Sequence, residues 1–382
     1  MNVAKKYNVK LFPLTDIHIG SGKDIEAYEY TIKNGYMYRI DISEIMDNMS
    51  NSEQEEFYKH IKRNNILDIR SWIYNNYKEE WGYTYKEKVS SEFEYYYKEK
   101  INGTVDENEN SELSIFEFIG YDDKKYIPGS SIKGALRTAF VISYFLENEI
   151  KYEIKSKYEI KNDKKVYERK EVSKEAQIME AGILDAKRLD KNQKVTGLEP
   201  KKDPFKTVKV FDTEEIDLEQ FEVTELKIKE GNLTCEVLKG KYGELKNNSL
   251  LFNEGINFNI VLSEYILKNN SKMKYNKNMG IKELLASLDD KIENILDFEI
   301  EKERKKDSCN IKEFYEQLKD DFRKIKGENS KVSLIRIGKY TGFNDKTINL
   351  VTTEPSENSR TVFDRNNHPM GWALIKVEEV KY

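Results

Sequence analysis

Apolar and polar positions along this chain switch between two periods. Val9-Lys10-Leu11-Phe12-Pro13-Leu14 reads as a first strand. Glu26–Ile32 and Tyr36–Ile40 flank Asn34-Gly35, a pair suited to the left-handed turn between two antiparallel strands, so they read as a hairpin. Strand-like runs recur at Leu113–Ile119, Thr207–Phe211, Phe221–Ile228, Leu233–Leu238, Asn257–Leu262, Ser333–Ile337, Thr347–Val351 and Trp372–Val377. The period turns helical from about Ser43 to Tyr77, anchored by Phe57, Ile61, Ile69, Trp72 and Ile73. It does so again from Ile281 to about Lys326, where Leu284, Leu285, Leu288, Ile292, Ile295 and Leu296 share one side. Between these lies a helix that starts after the turn pair Pro128-Gly129, with Ser130 or Ser131 as its N-cap. Its buried face is Ile132, Leu136, Ala139, Phe140 and Ser143, and it ends near Asn148.

Two stretches carry little pattern. Ser90 to Asn110 reads as a charged, mobile insertion, and Lys151 to Lys174 as a solvated helix or hairpin extension. No repeat of 20–50 residues is visible. Interspersed strands, hairpins and long helices predict an α+β fold around a mostly antiparallel sheet. The expected form is an RRM-like (ferredoxin-like) core, about 5–42, 112–148, 200–265 and 331–382, with insertions at about 43–111, 149–199 and 266–330.

Composition narrows the function. Charged residues make up 35% of the 382 positions and the net charge is −5, so the chain as a whole is not a basic nucleic-acid binder and any such contact must be local. The 17 Phe and 25 Tyr argue against global disorder. Cys235 and Cys309 have no metal-type spacing and imply no disulfide framework. The start, MNVAKKYNVKLFPLT, has no apolar core of a signal peptide, and no run approaches a membrane span, so a cytoplasmic location is expected.

Three glycine-bearing loops carry cations. They are HIGSGK (His18–Lys23), IPGSSIKGALR (Ile127–Arg137) and IRIGKYTGF (Ile335–Phe343). Backbone N–H groups in such loops cradle phosphates, and cations beside them add charge-assisted bonds. In the second loop Lys133 and Arg137 lie four apart on one helical face, with Gly134 leaving room for close approach. None of the three matches a P-loop or a dinucleotide-binding glycine motif, and each alone reads equally as a tight turn. Asp16 and Asp24 flank the first loop, and isolated acids there are usual turn formers. Tyr95-Tyr96-Tyr97 would stack on bases or be partly buried. No nucleophile with a paired base and no metal set is recognisable, so no cofactor is expected.

HIGSG after a first strand, then IPGSSIKGALR, then DPF before a strand ending at Asp212, then LIRIGKYTGF and PMGWALIKV, resemble the RAMP superfamily of CRISPR–Cas systems. Within it the order fits the fifth-numbered subunit family of the Csm (type III-A) effector complexes. The motifs cover both ends and the middle of the chain, and roughly half of it carries none. The resemblance implies the RRM-like core that builds the backbone of these complexes. It implies a non-catalytic subunit that caps the 3′ side of the crRNA, abuts the backbone and small subunits, meets target RNA only indirectly, and supports crRNA 3′ maturation through cellular exoribonucleases. RNA contacts would then fall on His18, Ser21, Lys23, Ser130, Ser131, Lys133, Gly134, Arg137, Arg336 and Lys339. The related backbone subunit uses a loop aspartate for metal-dependent cleavage, and here only Asp24 lies near a comparable loop. The alternatives are a metal-dependent ribonuclease built on Asp24 with Asp16 or His18, a subunit of the related Cmr complex, and a scaffold with no RNA contact.

Overall fold

The computed structural model describes residues 4–101, 113–121, 123–149, 158–161, 164–167, 169–228, 231–246, 255–263, 279–306, 309–342, 364 and 366–379. Strand β1 (Ala4–Pro13) leads through the first glycine loop into β2 (Gly20–Ile25). The Asn-Gly hairpin follows as β3 (Tyr30–Lys33) and β4 (Tyr36–Arg39), with Asn34 and Gly35 both at positive φ as the turn requires. The helical stretch after it is three helices: α1 (Ile42–Asp47), α2 (Asn51–Lys62) and α3 (Ile66–Asn76). Asp41, Ser50 and Asn65 cap them, Ser50 and Glu53 closing a reciprocal capping box, so each break sits at a residue able to start a new helix.

The expected mobile insertion is corrected next. Tyr85–Val89 forms β5, and Ser91–Ile101 forms helix α4. Phe93, Tyr97 and Ile101 recur every four residues on α4 and are at most 1% exposed. Each fully buried side chain of this size contributes about 1.5–3 kcal/mol, enough to order a segment that its charges alone would leave in solvent. Residues 102–110 of that expected insertion lie outside the described residues.

Strand β6 (Ile115–Phe118) and the two-residue strands β7 (Gly120–Tyr121) and β8 (Lys124–Lys125) precede helix α5 (Gly129–Glu147). The Lys/Glu-rich stretch includes a hairpin, β9 (Tyr158–Lys161) and β10 (Lys164–Tyr167), before helix α6 (Arg169–Ile183). A second hairpin, β11 (Lys187–Leu189) and β12 (Val195–Leu198), leads to a 3₁₀ turn at Pro204–Thr207 and then to β13 (Val208–Val210). The remaining strands are β14 (Phe221–Ile228), β15 (Gly231–Leu238), β16 (Ile256–Ser263), β17 (Val332–Arg336) and β18 (Trp372–Glu379). Two long helices, Ile281–Lys306 and Cys309–Glu328, lie between β16 and β17. The expected strand Thr347–Val351 lies outside the described residues.

Two sheets organise these elements. The first is wholly antiparallel, in the order β13-β16-β1-β18-β17. Helix α5 and the start of helix Ile281–Lys306 cover it through Ile132, Leu136, Leu284 and Leu288, packed on Val9, Leu11, Ile260 and Ile375. The farther ends of the same helices meet helix Cys309–Glu328 around Trp372 and Tyr315. The second sheet runs β2-β6-β15-β14-β5-β4-β3, with parallel pairs at β14/β5 and β15/β6. It curls, because Ile25 of one edge strand shares a core with Tyr30 and Ile32 of the other. An α+β fold with antiparallel pairing dominant is what the periodicity predicts. The division into two sheets is not.

Candidate nucleic-acid interface

The first and third glycine loops meet. The Lys339 N–H donates to the His18 carbonyl at 2.7 Å, and the Gly371 N–H donates to the Asp16 carbonyl at 2.9 Å. Thr15 Oγ1 donates to the Pro369 carbonyl (2.9 Å) and accepts from the Trp372 N–H (3.0 Å). Gly338, at φ 94°, passes so close to the His18 carbonyl that a Cβ would lie 2.6 Å from it. Both the backbone angle and the close packing therefore require glycine. The glycine serves contact between two loops of the protein itself.

His18 is fully buried inside this junction. Its Nδ1 pairs with the Glu236 carbonyl at 2.8 Å, and its ring stacks on Tyr340. Burial pushes its pKa down to about 4, against the pull of the Glu236 carbonyl, so the ring is neutral near pH 7. The expectation that His18 touches RNA is corrected: the side chain supports the loop from beneath. Arg336 is corrected likewise. It is 3% exposed, its Nε donates to the Met370 carbonyl at 3.0 Å, and its guanidinium lies 5.0 Å from the Trp372 ring centre.

What the junction leaves outside is Lys23 and Lys339. In β2, Gly20 pairs with Phe118 and Asp24 with Phe116, so Ser21, Gly22 and Lys23 bulge out opposite Glu117 alone. Ser21 Oγ fastens the bulge by donating to Glu117 at 2.7 Å and accepting from the Lys23 N–H at 3.0 Å. Lys339 is exposed, its Nζ 4.6 Å from the Phe116 ring centre and 5.2 Å from that of Tyr340. Among the described residues neither lysine has an ion-pair partner. The result is one exposed cation, Lys23, on the bulge of an edge strand and a second, Lys339, against the half-buried rings of Phe116 and Tyr340 on the loop bonded to His18, features suited to a phosphate chain with stacked bases. Asp24 is exposed on the bulge, whereas Asp16 is buried and accepts the Gly240 N–H at 2.9 Å. Of the three groups of the nuclease alternative, Asp16 and His18 are therefore buried in internal hydrogen bonds and only Asp24 is exposed.

The second loop is built differently. Helix α5 begins at Gly129, with Pro128 as its N-cap, so Ser130 and Ser131 lie inside the first turn and the expected serine cap is corrected. The anion at this helix start is the protein's own: Asp212 accepts the Gly129 N–H at 2.8 Å. A Cβ on Gly129 would collide with the Val210 and Phe211 carbonyls, so glycine here lets the helix start sit against β13. Arg137 is also engaged. It pairs with Glu180 and, at 2.9 Å, with Asp203, above the ring of Phe205. Despite the cost of its burial, these two acids hold its pKa above the usual arginine value. Arg137, expected at a phosphate, is thus engaged in an internal ion pair, with its side chain partly exposed. Lys133 is half-buried with no ion-pair partner among the described residues, and burial lowers its pKa. Gly134 faces open space, with nothing within 4 Å of an added Cβ. Ser130 is exposed and Ser131 half-buried.

Among known families, the RAMP superfamily matches residues 11–339, most of the chain. The chain belongs to the RAMP superfamily. A curated protein of Methanocaldococcus jannaschii, described as "CRISPR system Cms protein Csm5", is 27% identical over 141 residues, 37% of this chain. That match spans only 31% of the relative's own length. Among solved structures, a chain of a Csm-crRNA-target RNA ternary complex of a type III-A CRISPR-Cas system superposes with a TM-score of 0.62 at 15% identity, covering 99% of this chain and 100% of that one. T. onnurineus Csm5 gives a TM-score of 0.62 at 17% identity, over 96% and 99% of the two chains. At these identities the likeness is one of fold.

In this RAMP chain the recurring motifs meet in pairs. The arginine of IKGALR is bound by the aspartate of DPF, and PMGW is laced to both the first and third loops. Sequence reading missed the network beneath them. Lys125, 2% exposed, is bound by Glu87 and, at 3.0 Å, by Glu236. Glu236 further accepts from Tyr85 (2.8 Å) and from the Phe118 N–H (2.7 Å). Burial pushes the Glu87 carboxyl up to about 8, against the pull of Lys125. Glu236 thus ties the His18 loop, β5, β6 and Lys125 together. An alternating Tyr85-Lys86-Glu87 carries no sequence signal that its glutamate turns inward.

Proposed function

We propose that this RAMP protein is a non-catalytic RNA-binding subunit of a type III-A Csm-type effector complex. It holds the sugar-phosphate chain of a crRNA at Lys23 and Lys339, with Ser21 shaping the bulge and Lys133, Gly134, Ser130 and Ser131 forming a second, weaker contact. The observation that carries this reading is two exposed lysines without an ion-pair partner among the described residues, Lys23 held on the β2 bulge by Ser21 and Lys339 held by the His18 carbonyl beside Phe116 and Tyr340. The names of its relatives support the assembly, and the RAMP membership supports the RNA. In that assembly the chain caps the 3′ side of the crRNA at the end of the backbone, next to backbone and small subunits. It protects the RNA while cellular exoribonucleases trim the 3′ end, with no cleavage of its own.

The test is reconstitution with the neighbouring subunits. Lys23→Glu with Lys339→Glu is expected to leave the complex assembled but to release crRNA at lower salt and shift the 3′-end distribution. Unchanged retention and unchanged ends would remove the reading. Cleavage of RNA by the purified chain with Mg²⁺ or Mn²⁺, abolished by Asp24→Ala, would replace it with the nuclease alternative.

A further inference from the structure

Behind the β2 bulge the curled sheet opens into a cavity of about 530 Å³. That is within the range of small-ligand sites, roughly 300–1,000 Å³. Its inner wall is made by Tyr85 and Phe118, both nearly inaccessible, with the Lys125 ammonium beside them. Lys23, Arg39 and Tyr121 line the cavity together with the carboxylates Glu29, Asp41 and Glu117, the last of which accepts from Ser21. Arg39 is held by Glu29, whose carbonyl accepts from its Nη1 at 2.9 Å and whose carboxylate pairs with it at 3.4 Å, so Lys23 is the rim cation without an ion-pair partner among the described residues. Tyr121 stands 75% exposed on β7. Among the described residues, what the mouth offers a ligand is the exposed Tyr121 ring and the Lys23 ammonium, a flat aromatic face and a cation on one rim, which suits a planar ring attached to an anion.

Lys23 belongs to this rim and to the RNA-facing bulge at once. A strand whose phosphate sits on Lys23 has its next base at the mouth of the cavity. We infer that the mouth of the cavity receives one unpaired nucleotide, with its base against Tyr121 and its phosphate at Lys23. This rests on the reading of the bulge as an RNA contact. The same chemistry would accept a free nucleoside monophosphate, so the experiment carries both.

Full-length protein is irradiated with single-stranded RNA containing 4-thiouridine, and crosslinked peptides are mapped. In parallel, RNA affinity is measured across a salt series, and UMP and AMP are titrated, for the native chain, Tyr121→Ala, Tyr121→Phe and Lys23→Glu. Tyr121 is exposed, so its replacement leaves the fold intact, which a thermal melt verifies. Base stacking is worth about 1–3 kcal/mol per base, so Tyr121→Ala is expected to weaken RNA binding by about 5- to 150-fold. It is expected to abolish a crosslink at Tyr121 and leave the salt slope unchanged, while Tyr121→Phe retains both. Lys23→Glu lowers the slope instead. RNA binding that depends on Lys23 and Lys339 but is untouched by Tyr121→Ala, with no crosslink there, overturns the cavity and leaves the RNA reading standing. Binding of UMP or AMP that needs Tyr121, with no RNA binding, supports the cavity and removes the RNA reading. Absence of both kinds of binding overturns the two together.

Discussion

The first and second glycine loops look alike as sequence and differ as structure. Each sets glycines beside serine and a cation. In the first, Lys23 is pushed outward by a bulge and meets no acid among the described residues. In the second, Asp212 occupies the helix start, and Glu180 and Asp203 occupy Arg137. The difference comes from what the fold delivers to each place. Strand β2 is an edge, so its bulge faces solvent. The start of α5 is wedged against β13, and the chain leading into that strand brings Asp203 with it. A cation near a glycine is thus a contact in one place and a brace in the other.

The sharpest test of that comparison concerns the support under the first loop. His18 is held below its ordinary pKa, so the folded state binds fewer protons than the unfolded one between about pH 4 and 6.5. Its contribution to stability is complete above that window and is lost as pH falls through it, by roughly 3 kcal/mol. Glu87 has the opposite sign: its raised pKa gives the folded state a stabilisation that is complete below about 4.5 and is lost as pH rises toward about 8. Denaturant melts from pH 4 to 8 on the native chain and His18→Gln isolate the histidine, because Glu87 is common to both. The native chain should lose stability toward pH 4 relative to the variant, and parallel curves would mean that His18 is not buried neutral.

Next in size is the charge reversal Lys23→Glu with Lys339→Glu. RNA affinity should fall on the order of 100-fold at low salt, and the salt slope should shrink by about one to two. Arg137→Ala then measures the brace. Removing one partner of this half-buried ion pair should cost roughly 1–3 kcal/mol in a chemical melt, with RNA affinity of the folded protein changed less than about twofold. A large affinity loss at full stability would return Arg137 to the interface. The smallest change is Gly134→Ala. On an exposed helix position with open space around it, alanine should add roughly 0.5–1 kcal/mol of stability. If a phosphate approaches here, the same variant should bind RNA several-fold more weakly, and unchanged affinity would leave the second loop a brace throughout.

Some of this was legible in the residues. Asn34-Gly35 between alternating runs specified the β3–β4 hairpin, since few other pairs tolerate two positive φ angles in succession. The spacing of Leu284, Leu285, Leu288 and Ile292 specified the buried side of a long helix. Phe93, Tyr97 and Ile101 carried the same four-residue signal for α4 but were outweighed by the charges between them. The junction of the first and third loops was not legible, because its bonds join groups more than 300 positions apart along the chain, and local pattern does not register such partners.

Local pattern by itself determined most of the elements, the antiparallel character of the fold and the short list of cations near glycines. It did so because turn angles and amphipathic period are properties of neighbouring residues. Only the tertiary structure decided which of those cations stay available, which histidine is buried neutral, and that Lys125, Glu87 and Glu236 share one buried network. Those outcomes depend on burial and on partners far along the chain, and an ion pair or a desolvated ring exists only once the two sheets have closed around it.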